Sequence, residues 1–189
     1  DALMDPTEVA EAWLRLKLSG KVRHLGVSNM HSGQMALLQR ELADPILINQ
    51  LEMSLLQHDW IDDGTCFNDD QGKGARQWGE TLEYCRLHDI QLQAWGSLGK
   101  GWFSGAAPQD APASVHATAS LVKKLAHQYD VPTESLVLAW LLMHPARIQP
   151  VIGTSHPERI RACKEAENVP LSRGDWYQLY VTMRGRELP

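Results

Sequence analysis

The chain has no Cys-x-x-Cys pair and only three cysteines, Cys66, Cys85 and Cys163, an odd number spread widely along its 189 residues. A thiol metal site and a disulfide framework are therefore not expected, whereas a reduced, cytoplasmic protein is. Excess positive charge is missing too: a net charge of −5 leaves no basic field for nucleic acid or an anionic membrane. No apolar run approaches the ~20 residues that a membrane span needs, and no signal peptide is expected at the start. The opening Asp1-Ala2-Leu3 lacks an initiator methionine, so a processed or cut product is expected. Gly96, Gly99 and Gly101 do not make a Gly-x-Gly-x-x-Gly after a strand, which excludes the usual dinucleotide fingerprint. Short repeats and low-complexity tracts are absent as well.

What is present is ordinary globular composition, 43% hydrophobic and 22% charged, enough for one domain over residues 1–189. Asp5-Pro6-Thr7-Glu8 reads as a helix start, with Asp5 as cap and Pro6 in the first turn. Val9, Ala12, Trp13 and Leu16 then define one inward face. Strands are predicted at 22–27, with His24 in mid-strand, at 45–48, at 90–94 and at 148–152. Helices are predicted at 32–42, 77–88, 114–129 and 133–143. The 77–88 helix should bury Leu82, Tyr84 or Cys85, and Leu87. A last helix opening at Ser172-Arg173-Gly174-Asp175 should bury Trp176, Leu179, Tyr180 and Met183. The polar 57–76 stretch and the Gly/Ala/Pro-rich 98–112 stretch read as loops. Asp59, Asp62, Asp63, Asp69 and Asp70 lack calcium-loop spacing, so a solvated surface is expected of them, and no metal site.

Strands alternating with helices predict a parallel sheet with helices outside it. Each strand closes on small or polar groups: Ser28-Asn29, Asn49-Gln50, Trp95-Gly96-Ser97 and Gly153-Thr154-Ser155. Parallel sheets bind ligands at the carboxyl ends of their strands, and barrels hold phosphate after the last ones. Ser155 is placed to cap the final strand's helix, with Glu158 completing a capping box and Pro157 in the first turn. The free N–H groups there suit a phosphate, and Arg159 adds a bidentate donor; on the local pattern alone an ordinary strand–helix junction with a surface arginine is equally open. Amides suit an amide-bearing ligand and the tryptophan a flat ring. Together these describe a nicotinamide dinucleotide across the mouth.

The runs Gly20-Lys21-Val22-Arg23-His24-Leu25-Gly26-Val27-Ser28-Asn29, Asn49-Gln50-Leu51-Glu52, Ala94-Trp95-Gly96-Ser97-Leu98-Gly99 and Pro150-Val151-Ile152-Gly153-Thr154-Ser155 resemble the carboxyl-terminal half of an aldo-keto reductase. Pro157-Glu158-Arg159-Ile160 completes the likeness, which covers nearly the whole chain. The Gly-Thr-Ser and Trp-Gly-Ser-Leu-Gly forms resemble the bacterial oxidoreductase branch and the related potassium-channel beta subunits. The resemblance implies an α/β fold, the second half of a (β/α)8 TIM barrel with about four parallel strands. It implies that Ser28, Asn29 and Gln50 hydrogen-bond the nicotinamide carboxamide and that Trp95 stacks on the ring. Gly96, Ser97, Leu98 and Gly99 would meet the pyrophosphate. Gly153, Thr154, Ser155 and Arg159 would grip the adenosine 2′-phosphate, favouring NADPH. Two departures stand out: Ala162 and Cys163 replace a Glu-Asn pair that contacts adenine, and Gly153 replaces a lysine common in the family.

The implied parent reduces aldehydes or ketones, with a small carbonyl compound as substrate. Its catalytic Asp, Tyr, Lys and His lie on earlier strands, so no catalytic residue is expected here, and this chain alone is expected to be inactive. Tyr84, Tyr129, Tyr177 and Tyr180 all have core-like helical spacing rather than that of a proton donor. The other function open to the sequence is a non-catalytic nucleotide-binding or regulatory module. Open strand edges would also let two copies pair into a homodimer.

Overall fold

The computed structural model describes residues 3–65 and 80–188. Helix α1 (Pro6–Leu18) begins as its sequence requires: Asp5 Oδ1 accepts the Thr7 and Glu8 N–H at 2.8 and 3.4 Å, and Pro6 needs no partner there. Its chain then runs through strand β1 (Leu25–Ser28), α2 (Ser32–Glu41), β2 (Ile46–Glu52), α3 (Asp59–Thr65), α4 (Thr81–Leu87) and β3 (Gln91–Trp95). A 3-10 turn (Gly99–Ser104) leads to α5 (Ala113–Tyr129), α6 (Thr133–Leu142), β4 (Gln149–Pro150), α7 (Pro157–Glu165) and α8 (Arg173–Arg184). The four strands lie in the order β1-β2-β3-β4, every neighbouring pair parallel. This is the expected α/β half-barrel, four parallel strands with flanking helices.

Alternation along the strands divides the sheet's two faces. Asn49, Leu51, Leu92 and Ala94 are buried against the helices. Ser28, Gln50, Glu52, Gln93 and Trp95 stand on the opposite, more open face. The core continues beneath the helices through Met35, Leu38, Leu125 and Leu136. In α6 every residue from Ser135 to Leu141 is buried, as a helix apolar on all sides must be. Helix α8 buries Trp176, Leu179, Tyr180 and Met183 as its spacing predicts. It is fastened to α6 by a reciprocal clasp. Trp140 Nε1 donates to the Trp176 carbonyl at 3.1 Å, Trp176 Nε1 donates to the Trp140 carbonyl at 2.8 Å, and the rings stack 5.1 Å apart. Among the described residues no helix is long and apolar enough to cross a membrane.

Several local expectations fail for identifiable reasons. Strand β1 starts at Leu25, so His24 precedes it and is exposed rather than mid-strand. Strand β2 continues to Glu52, which puts Asn49 and Gln50 inside it and on opposite faces. Strand β4 has only two paired residues: Val151 N–H still donates to the Ala94 carbonyl at 2.8 Å, but Pro150 has no N–H to donate. In α1 only Trp13 is buried, and Leu16 is 43% exposed. Leu87, expected inside, is 80% exposed, whereas Cys85 is buried as expected and Thr81 is buried with it.

The 57–76 stretch is not all loop, because α3 occupies part of it, anchored by buried Trp60 and Ile61. Asp62 in that helix is buried rather than solvated, being 9% exposed. Gly99–Ser104 likewise makes a 3-10 turn within the second expected loop. Cys66, Asp69, Asp70 and the first residues of the 77–88 helix lie outside the described residues.

Candidate functional site

Parallel strands bring their carboxyl ends to one mouth, and the side chains there are already cross-linked. The Gln50 carbonyl accepts both Ser28 Oγ at 2.9 Å and the Asn29 N–H at 3.0 Å. Asn29 takes the left-handed conformation, φ 53°, which asparagine tolerates better than most residues and which ends β1 sharply. Its Oδ1 accepts Trp95 Nε1 at 3.2 Å. An indole N–H can only donate, so the asparagine must turn its oxygen to Trp95 and its NH2 group outward. Ser28, Asn29, Gln50 and Trp95, predicted from separate runs of sequence, thus form one cluster.

A turn at Gly96–Gly99 continues this cluster towards β4. Its ends are held by the Gly99 N–H donating to the Gly96 carbonyl at 2.8 Å. At Gly99, φ is +56°, and an added Cβ would lie 2.9 Å from Phe103 Cε2 and 3.2 Å from Leu56 Cβ, so glycine is required. Ser97 Oγ donates to the Val151 carbonyl at 3.0 Å, tying the turn to the segment that carries Gly153, Thr154 and Ser155. Leu98 packs instead against a small apolar cluster.

The Gly-Thr-Ser segment does not cap its helix as expected. Thr154 Oγ1 accepts the His156 N–H at 3.2 Å, a turn that moves the N-cap on to His156, and no side-chain capping bond forms. Ser155 is left outside the helix, and the Ser155–Glu158 capping box is absent. Pro157 does occupy the first helical turn. Ser155 and Arg159 are both exposed, and nothing lies within 4 Å of where a Cβ on Gly153 would stand. Cys163 is 6% exposed and packs with Leu138 and Ala166. Burial, with the Glu134 charge adding to it, pushes its thiol pKa up. With Gln149, Pro150 and Ile160 it lines a cavity of about 620 Å³ beside β4.

Three residues at this site were not singled out by sequence reasoning. Glu52 stands in register with Trp95, and its side chain lies 3.5 Å from where a Cβ on Gly96 would stand. Gln93 and Gln149 continue the row begun by Gln50, with Gln50 Nε2 donating to Gln93 Oε1 and Gln93 Nε2 to Gln149 Oε1, each at 2.9 Å. The two-residue alternation of β3 was the available signal for Gln93.

Elsewhere, the tyrosines are committed to the helical layer. Tyr180 donates to buried Asp62, Tyr129 OH donates to Asp175 Oδ2 at 2.6 Å, Tyr84 packs on His88 and Tyr177 on Trp176. Cys85 is sealed, and burial pushes its thiol up to about 11 despite a hydrogen bond with Asn49, so it is no nucleophile. His58, Asp59 and Asp62 bring potential metal-ligand atoms within 4.8 Å of one another. These are internally engaged: His58 Nδ1 lies 3.1 Å from Asp62, and Gln57 Nε2 donates to Asp59 at 2.8 Å.

The family model for the Aldo/keto reductase family matches residues 1–180. The chain belongs to the aldo/keto reductase family. Over its full length it is 33% identical to 6-dehydroglucose reductase of Agrobacterium fabrum, covering 56% of that protein. It is 32% identical, again over its whole length and 56% of the relative, to oxidoreductase YdhF of Escherichia coli. Among solved structures, the thermostable aldo-keto reductase Tm1743, crystallised with the inhibitor epalrestat, superposes with a TM-score of 0.71 at 18% identity. That match covers 96% of this chain and 56% of Tm1743. Aldose reductase from Giardia lamblia gives 0.68 at 19% identity, over 98% of this chain and 53% of its own. The structural likenesses carry the aldo-keto reductase fold, and the curated relatives carry oxidoreductase names. The chain spans about half the length of the relatives it matches.

Proposed function

We propose that this chain is the cofactor-binding half of an NADPH-dependent oxidoreductase that reduces aldehydes or ketones. The observation that carries this reading is the polarity of the mouth. Asn29 is held by Trp95 with its NH2 group outward, and Gln50 is held by Gln93 with its oxygen free. A donor and an acceptor on neighbouring strands suit a primary carboxamide, and the partly exposed Trp95 ring offers a surface for a flat heterocycle. When bound, the nicotinamide supplies the hydride that a carbonyl carbon takes up.

This chain's residues bind and orient. Asn29 donates to the carboxamide oxygen, Gln50 accepts from its nitrogen, and Ser28 braces Gln50 through its main-chain carbonyl. The Gly96–Gly99 turn brings backbone close to the pyrophosphate, and the half-buried Thr154 with the exposed Ser155 and Arg159 supplies donors for the 2′-phosphate. Cys163 supports the adenine end through packing and not as a thiolate.

Titration with NADPH, followed by calorimetry and tryptophan emission, tests the reading. Wild type should bind with quenching, and Trp95→Ala should bind about three- to tenfold more weakly, the worth of an aromatic stacking contact. Equal affinities would remove Trp95 from the site, and no binding by wild type would refute the reading. Because every tyrosine of the described residues is engaged away from the mouth, the chain alone should give no NADPH oxidation with a reactive aldehyde. Turnover by protein of confirmed mass would refute that. Binding without turnover is also what a non-catalytic nucleotide-binding module would show, and adding the family's Asp, Tyr, Lys and His on the remaining half discriminates the two. The outer edges of β1 and β4 have no partner strand among the described residues, so the chain is proposed to pair with itself there. A monomer by light scattering would count against this.

A further inference from the structure

The orientation of the carboxamide clamp is set beneath the mouth, on the open face of the sheet. Gln50 on β2, Gln93 on β3 and Gln149 on β4 stand directly in register. Each amide has one donor end and one acceptor end. Gln50 donates to Gln93 and Gln93 donates to Gln149, both at 2.9 Å, so the three amides all point the same way. This commits the Gln50 nitrogen to Gln93 and leaves its oxygen outside the row. A glutamine without such a partner turns about its last torsion with little preference and offers either end.

The neighbouring group is fixed independently. Trp95 can only donate, so Asn29 gives it the oxygen and presents its NH2 group. One donor and one acceptor are thereby each turned one way, on residues whose main chains are bonded to each other across β1 and β2.

We infer that Gln93 is a positioning residue that holds Gln50 with its carbonyl oxygen towards the carboxamide nitrogen of the nicotinamide. This rests on the NADPH reading and adds one residue that acts through Gln50 without touching the ligand. Two opposite substitutions at one position separate this role from mere support of the sheet. Gln93→Glu has only acceptors and keeps the Gln50 nitrogen turned towards it. Gln93→Lys has only donors, so it captures the Gln50 oxygen and turns the nitrogen outward.

The measurement is the ratio of affinities for NADPH and for its 3-acetylpyridine analogue, in which a methyl group replaces the amide nitrogen. Both cofactors carry the same charge, so the charge introduced at position 93 cancels in the ratio. The ratio should stay within about twofold of wild type in Gln93→Glu and fall about tenfold in Gln93→Lys, the worth of one neutral hydrogen bond at the upper end of its range. Circular dichroism checks that both variants fold. If Gln93→Lys does not, Gln93→Leu releases Gln50 and should lower the ratio about threefold. An unchanged ratio in every variant, equal falls in Gln93→Glu and Gln93→Lys, or equal losses for both cofactors would overturn the inference while leaving NADPH binding standing. Failure of wild type to bind NADPH would refute the function itself, and this inference with it.

Discussion

Removing one oxygen from the helical layer gives the sharpest stability test, through Tyr180→Phe. Tyr180 is fully buried and donates to Asp62, whose carboxylate also meets His58 Nδ1 at 3.1 Å and Arg184 Nε at 3.4 Å. Phenylalanine keeps the ring packing and deletes only the donor. Thr65 Oγ1, 3.1 Å from the phenol, keeps its bond to the Asp62 carbonyl at 3.3 Å, so little else is orphaned. A hydrogen bond to a buried charged group is worth about 1.5–3 kcal/mol, which predicts a loss of about 2 kcal/mol at pH 7. For a chain of this size that is roughly a 4–8 °C fall in Tm.

The same bond dictates a pH dependence. Burial alone would raise the Asp62 pKa, but the His58 and Tyr180 hydrogen bonds and the His58 and Arg184 charges more than reverse it, holding the carboxyl below its ordinary value of 3.8. A carboxyl depressed in the folded state stabilises fully above the unfolded value and loses that contribution as pH falls through the folded one. The Tyr180→Phe penalty should therefore be complete at pH 7 and shrink below about pH 4. Urea unfolding of wild type, Tyr180→Phe, Asp62→Asn and the double variant measures both effects, and the two substitutions should be non-additive. A penalty under about 0.5 kcal/mol at pH 7, less than the smallest net hydrogen-bond value, or one that does not shrink in acid, would refute the argument.

At Gly99, alanine must adopt φ +56° and press its methyl on Phe103 and Leu56, so Gly99→Ala should lose about 1–3 kcal/mol by thermal unfolding. Arg159→Ala should weaken NADPH about tenfold and leave NADH unchanged in calorimetry, the size expected of one charge-assisted contact to the 2′-phosphate. Burial, with the Arg86 charge adding to it, lowers the His144 pKa to about 4, so the folded protein stays neutral there while the unfolded chain takes up a proton below its ordinary value of 6.5. Stability should fall as pH drops between those values. His144→Asn, which can keep an acceptor for the Ala146 N–H now bound at 3.2 Å, should flatten that slope in Tm measured against pH.

Elements with a strong internal period were legible from sequence. Helix α8 declared all four of its core residues, and β2 and β3 declared their existence, because one buried face imposes a pattern on neighbouring positions. Helix α3 was not legible, since three aspartates in seven residues look like a solvated loop. What makes Asp62 a core residue is a tyrosine 118 positions away, and no local pattern reports a partner so distant. The mouth followed a similar division. Asn29, Gln50 and Trp95 stand in recognisable runs, whereas Gln93 and Gln149 matter only through strand register, which the sequence of one strand does not contain. The Ser155 cap failed because the Thr154 hydroxyl, one residue earlier, closes a competing turn.

The clasp between α6 and α8 also sorts the tryptophans by colour. Trp60, Trp140 and Trp176 are sealed together in the helical layer, where indoles emit towards the blue, while Trp95 keeps water contact at the mouth and emits further red. The clasp and the mouth therefore contribute to opposite flanks of a single emission band. A ligand titration is followed best on the red flank, where Trp95 emits together with the partly exposed Trp102, and unfolding on the blue flank, where the buried indoles emit.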